Sequence, residues 1–238
     1  MNTPPSGQTL TAAVEVERHL RLLMDADMAF NPRIMFMNVL RGKAGESIHV
    51  PASLVRALDF AECIDYQHGS VPAQVYLRHP YRVAMLATQK IDVIDYERII
   101  IALLHNVLEV SKVSESEIFG IAGSNVLEAL KALTVDRRRQ EDPVYKDAYY
   151  KHIEEISPSC ASVKIFDKLD NIYMVCFNPS ELIRNSYLDE IDRWVVPMAY
   201  RVMPDIGEYM QGVSGVMRNI GYLDKIEELD RARKTYEL

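Results

Sequence analysis

The stretch Val163-Lys164-Ile165-Phe166-Asp167-Lys168-Leu169-Asp170-Asn171-Ile172-Tyr173 spaces its apolar residues at the helical interval. Val163, Phe166, Leu169, Ile172 and Tyr173 fall on one side of a helix of about 3.6 residues per turn. Asp167 flanks that stripe, four residues before Asn171 and on the same side. A carboxylate at the edge of an apolar stripe needs a cation or hydrogen-bond donors. Either a salt bridge to a neighbouring helix or a divalent metal meets that need.

The same periodicity runs outward in both directions. Residues 9–29 carry Leu10, Val14, Val16, Leu20, Leu22 and Leu23 among charges, as one amphipathic helix. Further helical stretches are 52–66, 79–89, 94–109, 115–133, 143–156, 159–176, 181–200 and 206–235, the last interrupted near 212–221. Asn178-Pro179-Ser180 caps the helix that begins at Glu181. No segment alternates in the manner of a strand. The reading is an all-α bundle. The tail stripe of Leu223, Ile226 and Leu229 is too short for a sustained coiled coil and reads as packing on its own domain, which leaves the oligomeric state open.

The chain has 238 residues, 48% hydrophobic and 26% charged, an ordinary globular composition that excludes disordered and collagen-like classes. Its net charge of −7 argues against broad binding of nucleic acid or of an anionic membrane surface. Three widely spaced cysteines, Cys63, Cys160 and Cys176, with no Cys-x-x-Cys pair, suit a reducing cytoplasm better than a disulfide scaffold or a structural zinc site. The start of the chain has no secretory pattern, and the longest aliphatic run, 99–104, is far short of the ~20 residues of a spanning helix. A soluble cytoplasmic protein is expected.

Two histidines stand out. His79 opens a helix as Arg78-His79-Pro80, and His105 follows the most apolar run of the chain, Ile99-Ile-Ile-Ala-Leu-Leu104. A titratable side chain in that context needs a partner. Each is by itself a hydrogen-bonded core histidine or a ligand. With Asp167 they make a set of imidazoles and a carboxylate that suits Mn, Fe or Zn and leaves positions for water and a phosphate. Arg137-Arg138-Arg139 reads first as a solvated loop and gains interest once a phosphate site is in view.

Ala57-Leu-Asp-Phe-Ala61 followed by His68-Gly69, then Tyr76-Leu-Arg-His79-Pro80-Tyr-Arg-Val83-Ala84, then Ala102-Leu-Leu-His105-Asn106-Val-Leu-Glu109-Val110, then Val163 to Asn171, occur in an order and spacing that resemble the HD phosphohydrolase superfamily. More narrowly they resemble the RelA/SpoT hydrolase domain and its small stand-alone homologues. Phe119-Gly120, Leu133-Thr-Val-Asp-Arg137 and Trp194-Val-Val-Pro-Met-Ala-Tyr-Arg201 extend the likeness over residues 55–205. The resemblance implies an HD-domain helical bundle over 51–205, with helical extensions at 1–50 and 206–238. It implies metal ligation by His79, His105, Asn106 and Asp167, with Mn2+ the first candidate. It further implies hydrolysis of a nucleotide phosphate or pyrophosphate, the 3′-pyrophosphate of guanosine tetra- or pentaphosphate as first guess. Glu109, one helical turn after His105, is the expected catalytic base. Arg78, Arg137, Lys164 and Lys168 are expected to neutralise substrate phosphates, and Asn171 to bond the sugar or base.

Two positions depart from the family pattern. Its metal-binding Asp is Asn106 here, and the Asp of its Glu-Asp pair is Val110. An amide coordinates through its carbonyl oxygen but brings no negative charge, so it holds a dication less tightly. The family's basic loop before the first histidine is also shortened, to His68-Gly-Ser-Val-Pro-Ala73. The alternative is therefore a degenerate HD domain that binds a nucleotide or a protein partner without turnover.

Overall fold

The computed structural model describes residues 7–45, 48–69 and 71–237. Regular structure among them is helical: α1 (Gly7–Ala26), α2 (Pro32–Ala44), α3 (Ala52–Cys63), α4 (Ala73–Tyr76), α5 (Arg78–Gln89), α6 (Tyr96–Leu104), α7 (Val107–Val110), α8 (Glu115–Ala122), α9 (Ser124–Leu133), α10 (Pro143–Ile156), α11 (Pro158–Ile172), α12 (Glu181–Glu190), α13 (Val196–Val202), α14 (Pro204–Ile220) and α15 (Lys225–Thr235). A 3-10 turn at Val175–Phe177 and a π turn at Ile191–Val195 complete the series. The fold is all-α. No helix among the described residues is long and apolar enough to cross a membrane.

The sequence reading missed α2, whose Asn31 accepts the Ile34 N–H at 3.0 Å and whose Pro32 sits at the helix start. Only Phe36 and Leu40 of that helix are buried, so its apolar face is narrow. Residues 115–133 form two helices, parted at Gly123, where φ is +85°, a value L side chains rarely adopt. The stretch 94–109 also divides, into α6 and α7. His105 gives its ring N–H to the Ala102 carbonyl at 2.7 Å, the acceptor that a continuing helix would use for Asn106.

Contacts divide the chain into two compact units, residues 31–167 and residues 1–30 with 168–238. In the 31–167 unit, α6 is the central helix. Ile99 to Leu104 are all buried, as expected for a helix apolar all round. It packs on α3, α5 and α9, while α5 packs on α2 and α9 on α8 and α10. Tyr81, Phe36 and Phe166 are among the largest fully buried side chains of this core.

In the other unit α1 packs on α14 and α15. The buried face of α1 is not the leucine set expected from sequence: Val16 and Leu20 are 45% and 42% exposed, while Arg18, His19 and Arg21 are buried with Val14 and Leu22. Acidic partners explain the exchange. Arg21 Nε lies 2.8 Å from Asp170, its guanidinium 4.2 Å over the Tyr173 ring, and Arg18 donates two bonds to Glu228 of α15 at 2.9 and 3.1 Å. The buried face of α15 is accordingly Glu228 with Ala232, and Ile226 of the expected stripe is 72% exposed. Gly207 is needed for close packing: a Cβ there would lie 2.7 Å from the Tyr200 backbone nitrogen.

Removing one partner of a buried ion pair strands the other. Asp170→Asn is expected to lower stability by about 3 kcal/mol, since Glu17 still holds Arg21 at 2.6 Å. Urea unfolding with a lower midpoint and unchanged slope checks this; an unchanged midpoint contradicts it.

Candidate metal centre

The metal-type donors expected from three distant segments meet at one place. His79 stands in the first turn of α5, His105 caps the end of α6, and Asp167 lies on α11. His79 Nε2 is 3.2 Å from His105 Nε2 and 3.2 Å from Asp167 Oδ1, and His105 Nε2 is 3.5 Å from the same oxygen. Leu103, Leu104, Val107 and Phe166, next to these residues in the chain, are buried, and so are His105 and Asp167.

The protonation pattern follows from the partners. A backbone carbonyl has no proton to give, so the 2.7 Å bond to Ala102 fixes the proton of His105 on Nδ1. Its Nε2 lone pair therefore points at Asp167 and His79, the tautomer a metal ligand needs. Burial alone would push the Asp167 carboxyl up. The Lys164 ammonium, 3.1 Å from Oδ2, overrides it and holds the carboxyl well below the usual range. Burial likewise opposes the charge on Lys164, and the Tyr149 and Asp167 groups beside it hold its ammonium well above the ordinary lysine value. The pair is ionised at neutral pH.

Metal bonds of about 2.0–2.2 Å to nitrogen and carboxylate oxygen place neighbouring ligand atoms roughly 3–3.5 Å apart. The separations here, 3.2, 3.2 and 3.5 Å, match that spacing. Two imidazoles and one carboxylate, with His105 locked by a carbonyl behind it, fit a divalent transition metal.

The Asn106 side chain donates its amide N–H to the Tyr76 hydroxyl at 2.9 Å. Glu109 does not share a helix face with His105, because the chain breaks between α6 and α7; its Oε1 accepts the Val135 N–H at 2.8 Å and its Oε2 lies 3.6 Å from Arg137. Val110 is buried, its carbonyl bonded to the Gln67 N–H, so a carboxylate there would sit in the core. Arg78 is buried at the start of α5. Lys164 is buried against Asp167, its ammonium 5.6 Å from the Tyr149 ring centre. Lys168 and Asn171 belong to the other unit, where Lys168 is paired with Glu190 at 2.6 Å and Asn171 is exposed.

Two residues around the site, Tyr76 and Tyr149, were not singled out by sequence. Tyr76 stacks on His68 with ring centres 5.2 Å apart and meets the His79 ring edge-on at 6.4 Å. Tyr149 faces Lys164. Tyr76 lies inside the His79 segment and was within reach of a reading of that motif; nothing in the sequence signals Tyr149.

No protein-family model matches the chain, and no curated protein does. Among solved structures, one described as a metazoan ortholog of SpoT that hydrolyses ppGpp and plays a role in starvation responses is similar at 17% identity and a TM-score of 0.48, over 80% of this chain and 98% of that one.

Titration with Mn2+ is expected to show one bound equivalent that His79→Ala removes. At a free concentration of about 100 times Kd the metal should stabilise the native protein by about 2.7 kcal/mol, reversed by chelation. The metal-free protein should lose stability in acid through the same carboxylate. The depressed Asp167 carboxyl contributes stability that is present above its unfolded value of about pH 4 and lost as pH falls through the lower folded value. Asp167→Asn should flatten that acid limb in unfolding measured between pH 2 and 7, and an unaltered limb contradicts the pairing with Lys164.

Proposed function

We propose that the 31–167 unit is an HD-type, metal-dependent phosphohydrolase acting on a nucleotide phosphate or pyrophosphate, with the 3′-pyrophosphate of a guanosine polyphosphate as first candidate. The observation that carries this reading is the convergence of His79, His105 and Asp167 from three segments onto one set of metal-ligand spacings. When bound, a divalent cation supplies Lewis acidity, drawing charge from a phosphoryl oxygen and making water a nucleophile near neutral pH. His79, His105 and Asp167 are its proposed ligands, Asn106 a neutral fourth, and Mn2+ the first candidate.

Charge argues for an anionic substrate. Asp167 is the one carboxylate of the ligand set, its second oxygen is already matched by Lys164, and Asn106 adds no charge. A dication held by this set keeps most of its positive charge. A phosphate-bearing ligand neutralises it, whereas a neutral substrate does not. Metal and polyanion should therefore each tighten the binding of the other, reciprocally. Arg137, 57% exposed by its side chain, is the proposed phosphate partner on the rim. Buried Lys164 acts on Asp167, holding its carboxylate ionised and oriented.

One observation favours a second reading, binding without turnover: the two acids of the family pattern are replaced by an amide engaged with Tyr76 and by buried Val110.

Mn2+-supplied protein incubated with guanosine 3′,5′-bis(diphosphate) is expected to release pyrophosphate, and His105→Ala or chelation to abolish the release. Asn106→Asp should tighten Mn2+ binding on the order of tenfold or more by adding a charged ligand. Tight calorimetric binding of the nucleotide without release, in both wild type and Asn106→Asp, supports the second reading. Neither binding nor release with Mn2+, Fe2+ or Zn2+ overturns both.

A further inference from the structure

The sequence made Glu109 the catalytic base on the premise that it shares a face with His105. The structure gives its carboxylate other work. Oε1 accepts the Val135 N–H at 2.8 Å, and Oε2 faces the Arg137 guanidinium at 3.6 Å, although Glu109 and Val135 are 26 residues apart. The Glu109 side chain is 10% exposed, so its bond to the Val135 N–H lies in a largely dry setting, while Arg137 meets it from the solvent side.

Residues 134–142 are pinned from their other side too. The Asp136 N–H bonds the Tyr145 hydroxyl at 2.7 Å, and the Asp136 carboxylate in turn accepts the Arg138 N–H at 3.0 Å. Backbone bonds join Arg139 N–H to Asp136 carbonyl and Asp142 N–H to Arg139 carbonyl, each at 2.9 Å. The Arg139 guanidinium lies 4.8 Å from the Tyr145 ring centre. A loop carrying three successive arginines is thus fixed at Val135, Asp136, Arg138 and Arg139. The charges of Arg137 and Glu109 both act on His68 and Tyr76, the pair stacked next to His79, so the two side chains sit together beside the centre.

We propose that Glu109 is a positioning residue, whose carboxylate holds the Val135 backbone and the Arg137 guanidinium so that the 134–142 loop presents Arg137 to a phosphate group beside the His79–His105–Asp167 centre. The inference rests on the hydrolase reading for its substrate and on Glu109 alone for its geometry. A guanidinium held in place before the ligand arrives loses less conformational freedom on binding, so the carboxylate acts on affinity for phosphate. Glutamine at this position keeps an oxygen for the Val135 N–H and loses the ionic contact with Arg137. Alanine loses both.

Three readouts on the 238-residue chain decide the matter. Amide exchange at Val135 should be slow in wild type and Glu109→Gln and at least tenfold faster in Glu109→Ala. Binding of inorganic pyrophosphate to the Mn2+-supplied protein should weaken about equally in Glu109→Ala and Arg137→Ala, with no further loss in the double variant, because the two substitutions remove one interaction. In turnover, Glu109→Ala should raise KM more than it lowers kcat, and Glu109→Gln should keep kcat within about tenfold of wild type. Unchanged Val135 exchange in Glu109→Ala overturns the proposal. So does a fall in kcat of a hundredfold or more in Glu109→Gln with pyrophosphate binding intact, the signature of a lost base. Failure of wild-type turnover counts against the hydrolase reading alone, and Val135 exchange still decides for or against the role of Glu109.

Discussion

The carboxylate of Asp167 is where the requirements of the 31–167 unit meet. One oxygen faces two imidazole nitrogens at 3.2 and 3.5 Å and the other faces a buried ammonium at 3.1 Å. An acid so deeply placed is costly to ionise by itself. Lys164, one helical turn earlier on α11, keeps it charged, and the same charge suits it to a cation. His79 and His105 lie beside that carboxylate, and His105 is fixed from behind by the Ala102 carbonyl. The bond that sets the tautomer of His105 also competes for the acceptor of a continuing helix. The break between α6 and α7 and the readiness of the ring to ligate thus have one cause.

That break redistributes the residues that follow. In a continuous helix Glu109 would lie one turn above His105; with the turn interrupted, it points toward the Val135 N–H and Arg137 instead. Asn106, at the junction, gives its amide to Tyr76. A neutral amide and a buried Val110 leave the proposed ligand set with a single carboxylate, already matched by Lys164. A chain of net charge −7 concentrates positive charge locally, at a proposed dication and at the arginine loop.

Buried charge organises the other unit as well. Arg18 with Glu228 and Arg21 with Asp170 occupy positions that an amphipathic reading of α1 assigns to leucines. Hydrophobic periodicity ranks side chains by their own transfer cost and takes no account of a partner some 150 to 210 residues away, the separations of these pairs. An arginine matched by a buried carboxylate competes well for an inside position, and its stem packs like an aliphatic chain. This is why α1 and α15 were found as helices while their buried faces were not.

The sequence by itself determined the all-α class, most helix positions, the short caps at Asn178 to Ser180 and the three donors His79, His105 and Asp167. Those are properties of local spacing and of residue chemistry, and a single chain carries them. Tertiary structure decided what depends on long-range partners. It set the separations of 3.2 to 3.5 Å among the donors, the tie between Glu109 and Val135, the inward turn of Arg18 and Arg21, and the narrow-faced helix α2. A helix period says which residues share a face. Which face is buried, and which carboxylate meets which cation there, is fixed only when distant segments desolvate one another.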